Sequence, residues 1–251
     1  MTPRPTRLVT PALVNTSNPL LSTTYKGTAF EERARRVLQA NLSMSLRRVG
    51  GKSDGGIDLL GWWWLPRLRS TDPSDPRRRI RVYAQCKAEK KKLGPKYARE
   101  MEGVFMRHIP TPSQALSPHD CLPDELCPQG VKTQTIYPSV ALLISESPFT
   151  KATVLHTLSS PVPFFLLHLP PLPIPEDVLS PQNVGDDNLG SAIWNPALAG
   201  ARGLLGGEIE ARWERSTDGG GRPGLWWCNN RLKNWIPDVT EDLDAVPARN
   251  V

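Results

Sequence analysis

Two short segments limit most strongly how this chain can fold: Gly51-Lys52-Ser53-Asp54-Gly55-Gly56-Ile57-Asp58-Leu59 and, after an arginine-rich stretch, Val82-Tyr83-Ala84-Gln85-Cys86-Lys87-Ala88. Both read as β-strands, near 57–64 and 80–88, and both carry polar groups at one end. Strand side chains alternate between faces, so Gln85 and Lys87 share one face while Cys86 turns into the core. Asp58 offers a carboxylate and Gln85 a side-chain carbonyl, the oxygen donors that a hard cation such as Mg²⁺ prefers. A divalent cation neutralises phosphate oxygens, polarises phosphorus and supplies an activated water. A lysine ammonium beside it can orient or help deprotonate that water and can stabilise the charge growing on phosphorus. The pattern therefore predicts metal-dependent attack on a phosphodiester.

A helix over about 28–41 precedes these strands. Phe30, Ala34, Val37 and Leu38 recur at the spacing of one apolar face, and Glu31 lies beside that stripe. Glu32 looks instead toward Arg35, Arg36 and Gln39 on the solvated side. Glu31 is thus the candidate third ligand. Both glutamates also satisfy a plainer reading, as first-turn acids favoured by the helix dipole.

Glu31, Asp58, Gln85 and Lys87 together resemble the helix-Glu, Gly-x-Asp, Gln-x-Lys pattern of the Mrr-like restriction endonuclease group in the PD-(D/E)xK nuclease superfamily. Gln85 stands where that superfamily usually has Glu and is the weaker ligand. The resemblance covers roughly residues 27–169. It implies an α/β fold, a restriction-endonuclease-like mixed sheet flanked by helices in α-β-β-β-α-β-α-β order, with Glu31, Asp58 and Gln85 as ligands for Mg²⁺, or Mn²⁺ in its place. Gly-Leu-Trp-Trp-Cys-Asn-Asn-Arg-Leu-Lys-Asn-Trp, over 224–235, is similar to a more particular family: fungal mitochondrial proteins required for respiratory growth, built on this core. That second resemblance implies a mitochondrial location and a role in DNA maintenance or respiratory competence.

The net charge of +6 is unevenly spread. Residues 67–99 hold twelve Lys or Arg against Asp72, Asp75 and Glu89, a net +9 that leaves −3 for the remainder. Cations gathered around a phosphate-cleaving site suit a polyanion, because each neutralised phosphate releases counterions. DNA is the expected partner, with Lys52, Arg77, Arg78, Arg79, Lys90, Lys91 and Lys92 as its expected contacts. The loop at 65–79 also reads as a solvated basic segment.

Residues 1–26 form a basic tail in which Arg4, Arg7 and Lys26 occur without an acid, a composition compatible with a mitochondrial presequence. Pro3, Pro5, Pro11 and Pro19 would interrupt an amphipathic helix there. No apolar run is long enough to span a bilayer. Cys86, Cys121, Cys127 and Cys228 lack the paired spacing of a zinc ribbon or disulfide framework, although His119 beside Cys121 and Cys127 could seed a metal site.

The remaining organisation follows from period and punctuation. A strand is expected near 44–49, a helix over 94–107 after Gly94-Pro95, and an inserted loop at 108–130. Next come a buried strand over 139–145, a helix over 150–158 and a strand over 162–169. Residues 170–190 read as a Pro-rich and acidic linker. In the accessory region, 191–251, the apolar positions of 192–205 predict one helix, with strands over 208–215 and 225–228. Trp62, Trp63, Trp64, Trp226, Trp227 and Trp235 could stack on unpaired bases, but alternation sends at least one of the triplet into the core.

Two function classes follow. One is a Mg²⁺-dependent DNA endonuclease or related phosphodiesterase, in which Asp58→Ala and Lys87→Ala abolish cleavage and leave folding intact. The other is a catalytically inactive nucleic-acid-binding or assembly factor on the same fold. A junction-cleaving variant of the first would need a homodimer to place two sites symmetrically.

Overall fold

The computed structural model describes residues 23–49, 55–66, 77–109, 137–171, 189–215, 221–227 and 229–237. The first helix, α1 (Thr23–Asn41), buries Phe30, Ala34, Val37 and Leu38, the stripe expected from the sequence. Ser43 then takes a left-handed φ of 55°, which turns the chain from helix into β1 (Met44–Arg48). This turn is pinned from far along the chain. Asn234 Oδ1 accepts from the Ser43 N–H at 2.7 Å, and Ser43 Oγ accepts from the Trp235 N–H at 3.0 Å.

β1, β2 (Leu59–Leu65) and β3 (Arg78–Lys87) form an antiparallel meander. Gly61 permits the close approach of the first two strands: a Cβ there would lie 2.0 Å from the Ser45 carbonyl oxygen. Parallel neighbours need crossovers. Here α2 (Pro95–His108) leads from β3 to β4 (Ser139–Ser145), and α3 (Lys151–Ser159) leads from β4 to β5 (Phe164–His168). Residues 23–168 therefore follow the expected α-β-β-β-α-β-α-β order in a mixed sheet flanked by helices.

Register sorts the side chains into two cores. Leu59, Trp63, Ile80, Val82, Ala84, Val140, Leu142 and Phe165 pack with α1 on one face. Ala141, Leu143, Phe164 and Leu166 pack with Met101 and Phe105 of α2 on the other. Trp63 is fully buried, stacked on Phe165 at 6.0 Å and edge-on to Trp194 at 5.8 Å.

The helix expected over 192–205 does not form. Instead β6 (Ser191–Trp194) pairs antiparallel with β5 as a sixth strand, and a single short turn, α4 (Pro196–Ala199), follows. Pro196 cannot sit inside a continuous helix, so it can only begin one. Asn195 fixes that start: its Oδ1 accepts from the Leu198 and Phe164 N–H groups at 3.0 and 2.9 Å. Its amide nitrogen donates to the carbonyls of Thr157, Ser160 and Val162. Gly206 and Gly207, both at positive φ, complete the turn into a small sheet of β7 (Ile209–Arg215), β8 (Gly221–Trp227) and β9 (Asn230–Arg231). Ile209 and Leu225 from this sheet enter the α1-side core. No described helix is long and apolar enough to cross a membrane. Most of the expected linker, of the insertion and of the N-terminal tail lies outside the described residues, as do His119, Cys121, Cys127 and Cys228, and His108 at the start of the expected insertion instead ends α2.

Candidate functional site

Gly55 and Gly56 make a left-handed turn, with φ of +64° and +89°, that delivers the chain to Asp58. A Cβ on Gly56 would come 2.9 Å from Val104 of α2 and 3.7 Å from the Gln85 amide nitrogen, so the turn lies close against both. Asp58 extends the ladder by one residue on each side. Its N–H donates to the Ala84 carbonyl and its carbonyl accepts from the Val49 N–H, each at 2.9 Å. Asp58 thus sits one residue before the Leu59–Ala84 pair, at the same end of the sheet as Gln85.

The Asp58 carboxylate accepts the Cys86 backbone N–H at 2.7 Å, a charge-assisted bond that fixes its orientation. Gln85 is only 6% exposed, and its Oε1 has no hydrogen-bond partner among the described residues. An orphaned buried acceptor costs about 1–3 kcal/mol, so this one calls for an explanation. An oxygen-seeking cation beside Asp58 would supply one. The donor chemistry thus fits a hard metal, although no three His, Cys, Asp or Glu residues converge on such a site among the described residues.

Lys87 follows on the same face, with its ammonium 5.4 Å from the centre of the Tyr97 ring. The Tyr97 hydroxyl donates to Glu89, and that bond, with a smaller contribution from burial, raises the phenol above its ordinary pKa. Lys96 sits over the same ring at 4.6 Å.

Glu31 points inward and Glu32 outward, as the helical spacing predicted. Glu32 pairs with Arg35 at 2.6 Å on the helix surface, and that hydrogen bond lowers its carboxyl pKa. Glu31 meets Arg48 Nε at 2.7 Å, on the side of the sheet covered by α1. The four expected residues therefore gather at one end of the sheet, with Gln85 and Lys87 facing α2, the Asp58 carboxylate on the Cys86 N–H, and Glu31 reaching in from α1. Cys86 lies among them. Burial pushes its thiol pKa well up, the charges of Asp58 and Glu31 push it further, and Lys87 opposes them.

The expected nucleic-acid contacts separate into two sets. Lys90, Lys91 and Lys92 are exposed just beyond the Lys87 end of β3, beside the site. Arg77, Arg78 and Arg79 lie at the opposite end, because seven residues of strand from Arg78 to Gln85 span about 23 Å. Their guanidiniums are turned into the fold, although Arg77 Nη1 and Arg78 Nη2 find no acceptor among the described residues. Arg77 lies 5.2 Å over Trp235, while Arg78 donates to the carbonyls of Pro66 at 3.2 Å and Leu204 at 3.1 Å. Arg79 donates to the Tyr137 hydroxyl at 2.9 Å and, together with Arg81, packs on Trp62 at 4.6 and 4.7 Å. Trp62 is consequently covered, while Arg212 lies 4.9 Å over the ring of the half-buried Trp226. Lys52 lies outside the described residues.

Sequence reasoning missed one wall of the site. An open pocket of about 620 Å³ lies between the Gly55-Gly56 turn, Gln85 and α2, and it is lined by Arg99, Gly103 and Arg107 among others. Their i, i+4, i+8 spacing was visible in the sequence as a non-apolar stripe, but nothing local said which surface it would face.

With this geometry in place, the likeness to known proteins can be located. The family model described as Required for respiratory growth protein 7 matches residues 22–78 and 69–117. The chain is similar to that family across α1, the three antiparallel strands and α2. An uncharacterized mitochondrial protein of Schizosaccharomyces pombe is 34% identical over 101 residues, covering 40% of this chain and 36% of that protein. The Required for respiratory growth protein 7, mitochondrial, of Vanderwaltozyma polyspora is 26% identical over 167 residues, covering 49% of this chain and 65% of that protein. The chain thus spans between about one third and two thirds of the length of these relatives. Both are named as mitochondrial proteins, in agreement with the expected location. No solved structure matches. The matched segment contains Glu31, Asp58, Gln85, Lys87 and the α2 wall.

Proposed function

We propose that this chain is a mitochondrial, Mg²⁺-dependent phosphodiesterase acting on DNA, whose activity serves respiratory growth. The observation carrying this reading is the buried Gln85 carbonyl, unpartnered among the described residues, at the strand end where the Cys86 N–H holds the Asp58 carboxylate, with Lys87 next on the Gln85 face. Asp58 and Gln85, with Glu31 from α1, would hold the metal, and Mn²⁺ would serve in its place. A bound cation would neutralise phosphate oxygens and make water a better nucleophile at neutral pH.

The protein's own groups prepare the rest. The Cys86 N–H holds the Asp58 carboxylate, so little reorganisation is needed when charge develops. Tyr97 restrains Lys87, whose ammonium can donate to a non-bridging phosphate oxygen and exchange a proton with the attacking water. Lys90, Lys91 and Lys92 add positive charge at the mouth of the site.

One observation favours the second reading, an inactive nucleic-acid-binding factor: Arg48 already neutralises Glu31 at 2.7 Å. Cleavage of labelled duplex, single-stranded and branched DNA with Mg²⁺ or Mn²⁺ tests the two. Metal-dependent cutting that disappears in Asp58→Asn and Lys87→Ala supports the phosphodiesterase. Salt-sensitive binding without cutting in either metal would overturn it in favour of the binding factor. A cleaving homodimer, seen as a sedimenting two-chain species, would point to branched substrates.

A further inference from the structure

We infer that α2 supplies a phosphate-holding wall to this site, with Arg99 and Arg107 gripping the backbone of a nucleic-acid strand and Gly103 leaving room for it. The inference rests on the phosphodiesterase reading and adds residues to it. Arg99, Gly103 and Arg107 lie one helical turn apart, on a stripe adjacent to the buried one formed by Ala98, Met101 and Phe105. That stripe borders the same open pocket as Gln85 and the Gly55-Gly56 turn.

Each member has a physical reason to be there. Arg99 and Arg107 are exposed, and a guanidinium presents five donors in a fork that matches phosphate oxygens. Arg107 uses one of them to hold the Gly55 carbonyl at 3.2 Å, which ties the wall to the turn delivering Asp58. Gly103 breaks the ridge between them. A Cβ there would meet nothing within 4 Å, so the helix surface is hollow at the point nearest the pocket. Glu100 also lines the pocket, and the two arginines leave its wall net positive. Eight residues of helix separate the arginines by about 12 Å along the axis, enough to reach more than one phosphate of a strand that rises about 3.4 Å per nucleotide. This wall, rather than the distant Arg77-Arg78-Arg79 run, therefore faces the strand to be cut.

The test measures equilibrium binding of a labelled duplex and of a labelled single strand by the full-length chain, across a salt series, with Asp58→Asn in the background to prevent cutting. Replacing both arginines, Arg99→Gln with Arg107→Gln, should flatten log K against log salt by about 1.8 for duplex or 1.4 for single strand, two lost phosphate contacts. Lys151→Gln, an exposed charge on α3, should leave the slope unchanged. Gly103→Leu should melt no lower than the background, because it meets open space and replaces glycine in a helix. It should nonetheless weaken binding about tenfold or more, a loss above 1.4 kcal/mol. An unaltered slope in the double variant together with unaltered affinity in Gly103→Leu would overturn the inference while leaving cleavage by the wild type untouched. Absence of salt-dependent binding in the background chain itself would instead remove the phosphodiesterase reading, and the wall with it.

Discussion

Replacing Asp58 by alanine and by asparagine should give two different proteins, because the carboxylate does two things. Its Oδ2 accepts the Cys86 N–H at 2.7 Å, and its charge is what a metal would need. Alanine removes both. The Cys86 N–H would then lose its acceptor at the join of two central strands, at a cost of about 1–3 kcal/mol. At roughly 2–4 °C per kcal/mol for a chain of this size, the melting temperature should fall by about 2–12 °C. Asparagine keeps an oxygen in place and gives up only the charge-assisted part of the bond, so its loss should stay below about 1 kcal/mol. Cleavage should vanish in both, since a neutral amide is a poor substitute for a carboxylate as a ligand for a hard cation. Thermal melts and cleavage assays on the same preparations decide the matter. Equal stability of the two variants would refute the structural half of this argument, and wild-type cutting by Asp58→Asn would refute the chemical half. The expectation drawn from sequence, that Asp58→Ala leaves folding intact, thus gives way to one in which asparagine is the cleaner probe.

Asn195→Ala should destabilise by on the order of 3 kcal/mol, because it strands the Phe164 N–H and the Ser160 and Val162 carbonyls, while the Leu198 N–H and the Thr157 carbonyl keep backbone partners; a loss under about 1 kcal/mol in denaturant melts would contradict this network. Arg78→Met should cost about 1–2 kcal/mol by releasing the Pro66 and Leu204 carbonyls. It should leave the salt dependence of DNA binding unchanged, and a flatter slope would return this arginine to the substrate path. Burial lowers the His168 imidazole pKa, partly offset by a hydrogen bond to the Glu146 backbone. Its contribution to stability is therefore present above its unfolded value of about 6.5 and is lost as pH falls through the lower folded value. Melts from pH 7 down to pH 5 should show that decline, and His168→Gln should reduce it; an equal acid slope in both proteins would exclude His168 as its source.

Much of the backbone was legible because it depends on short-range rules. The stripe Phe30-Ala34-Val37-Leu38 marked α1, and the same spacing separated an inward Glu31 from an outward Glu32. Alternation placed Gln85 and Lys87 together and required at least one of Trp62, Trp63 and Trp64 to enter the core, while tertiary packing decided that both Trp62 and Trp63 do. The helix expected over 192–205 does not form because Pro196 interrupts the apolar spacing and because the open edge of β5, a long-range partner, takes up Ser191–Trp194 as a strand.

By itself, then, the sequence determined where helices and strands form and which neighbours along each element share a face, since periods of 3.6 and 2 residues are set by local backbone geometry. The tertiary structure decided which ends of those elements meet. Arg77, Arg78 and Arg79 look like neighbours of the site in a charge count, yet the rise of β3 carries them some 23 Å away, where carbonyls and aromatic rings occupy them. Arg99 and Arg107, unremarkable in the sequence, come to face Gln85 because α2 crosses back over the sheet to reach β4. Strand register and crossover are long-range choices, fixed only when the two cores close on opposite faces of the sheet.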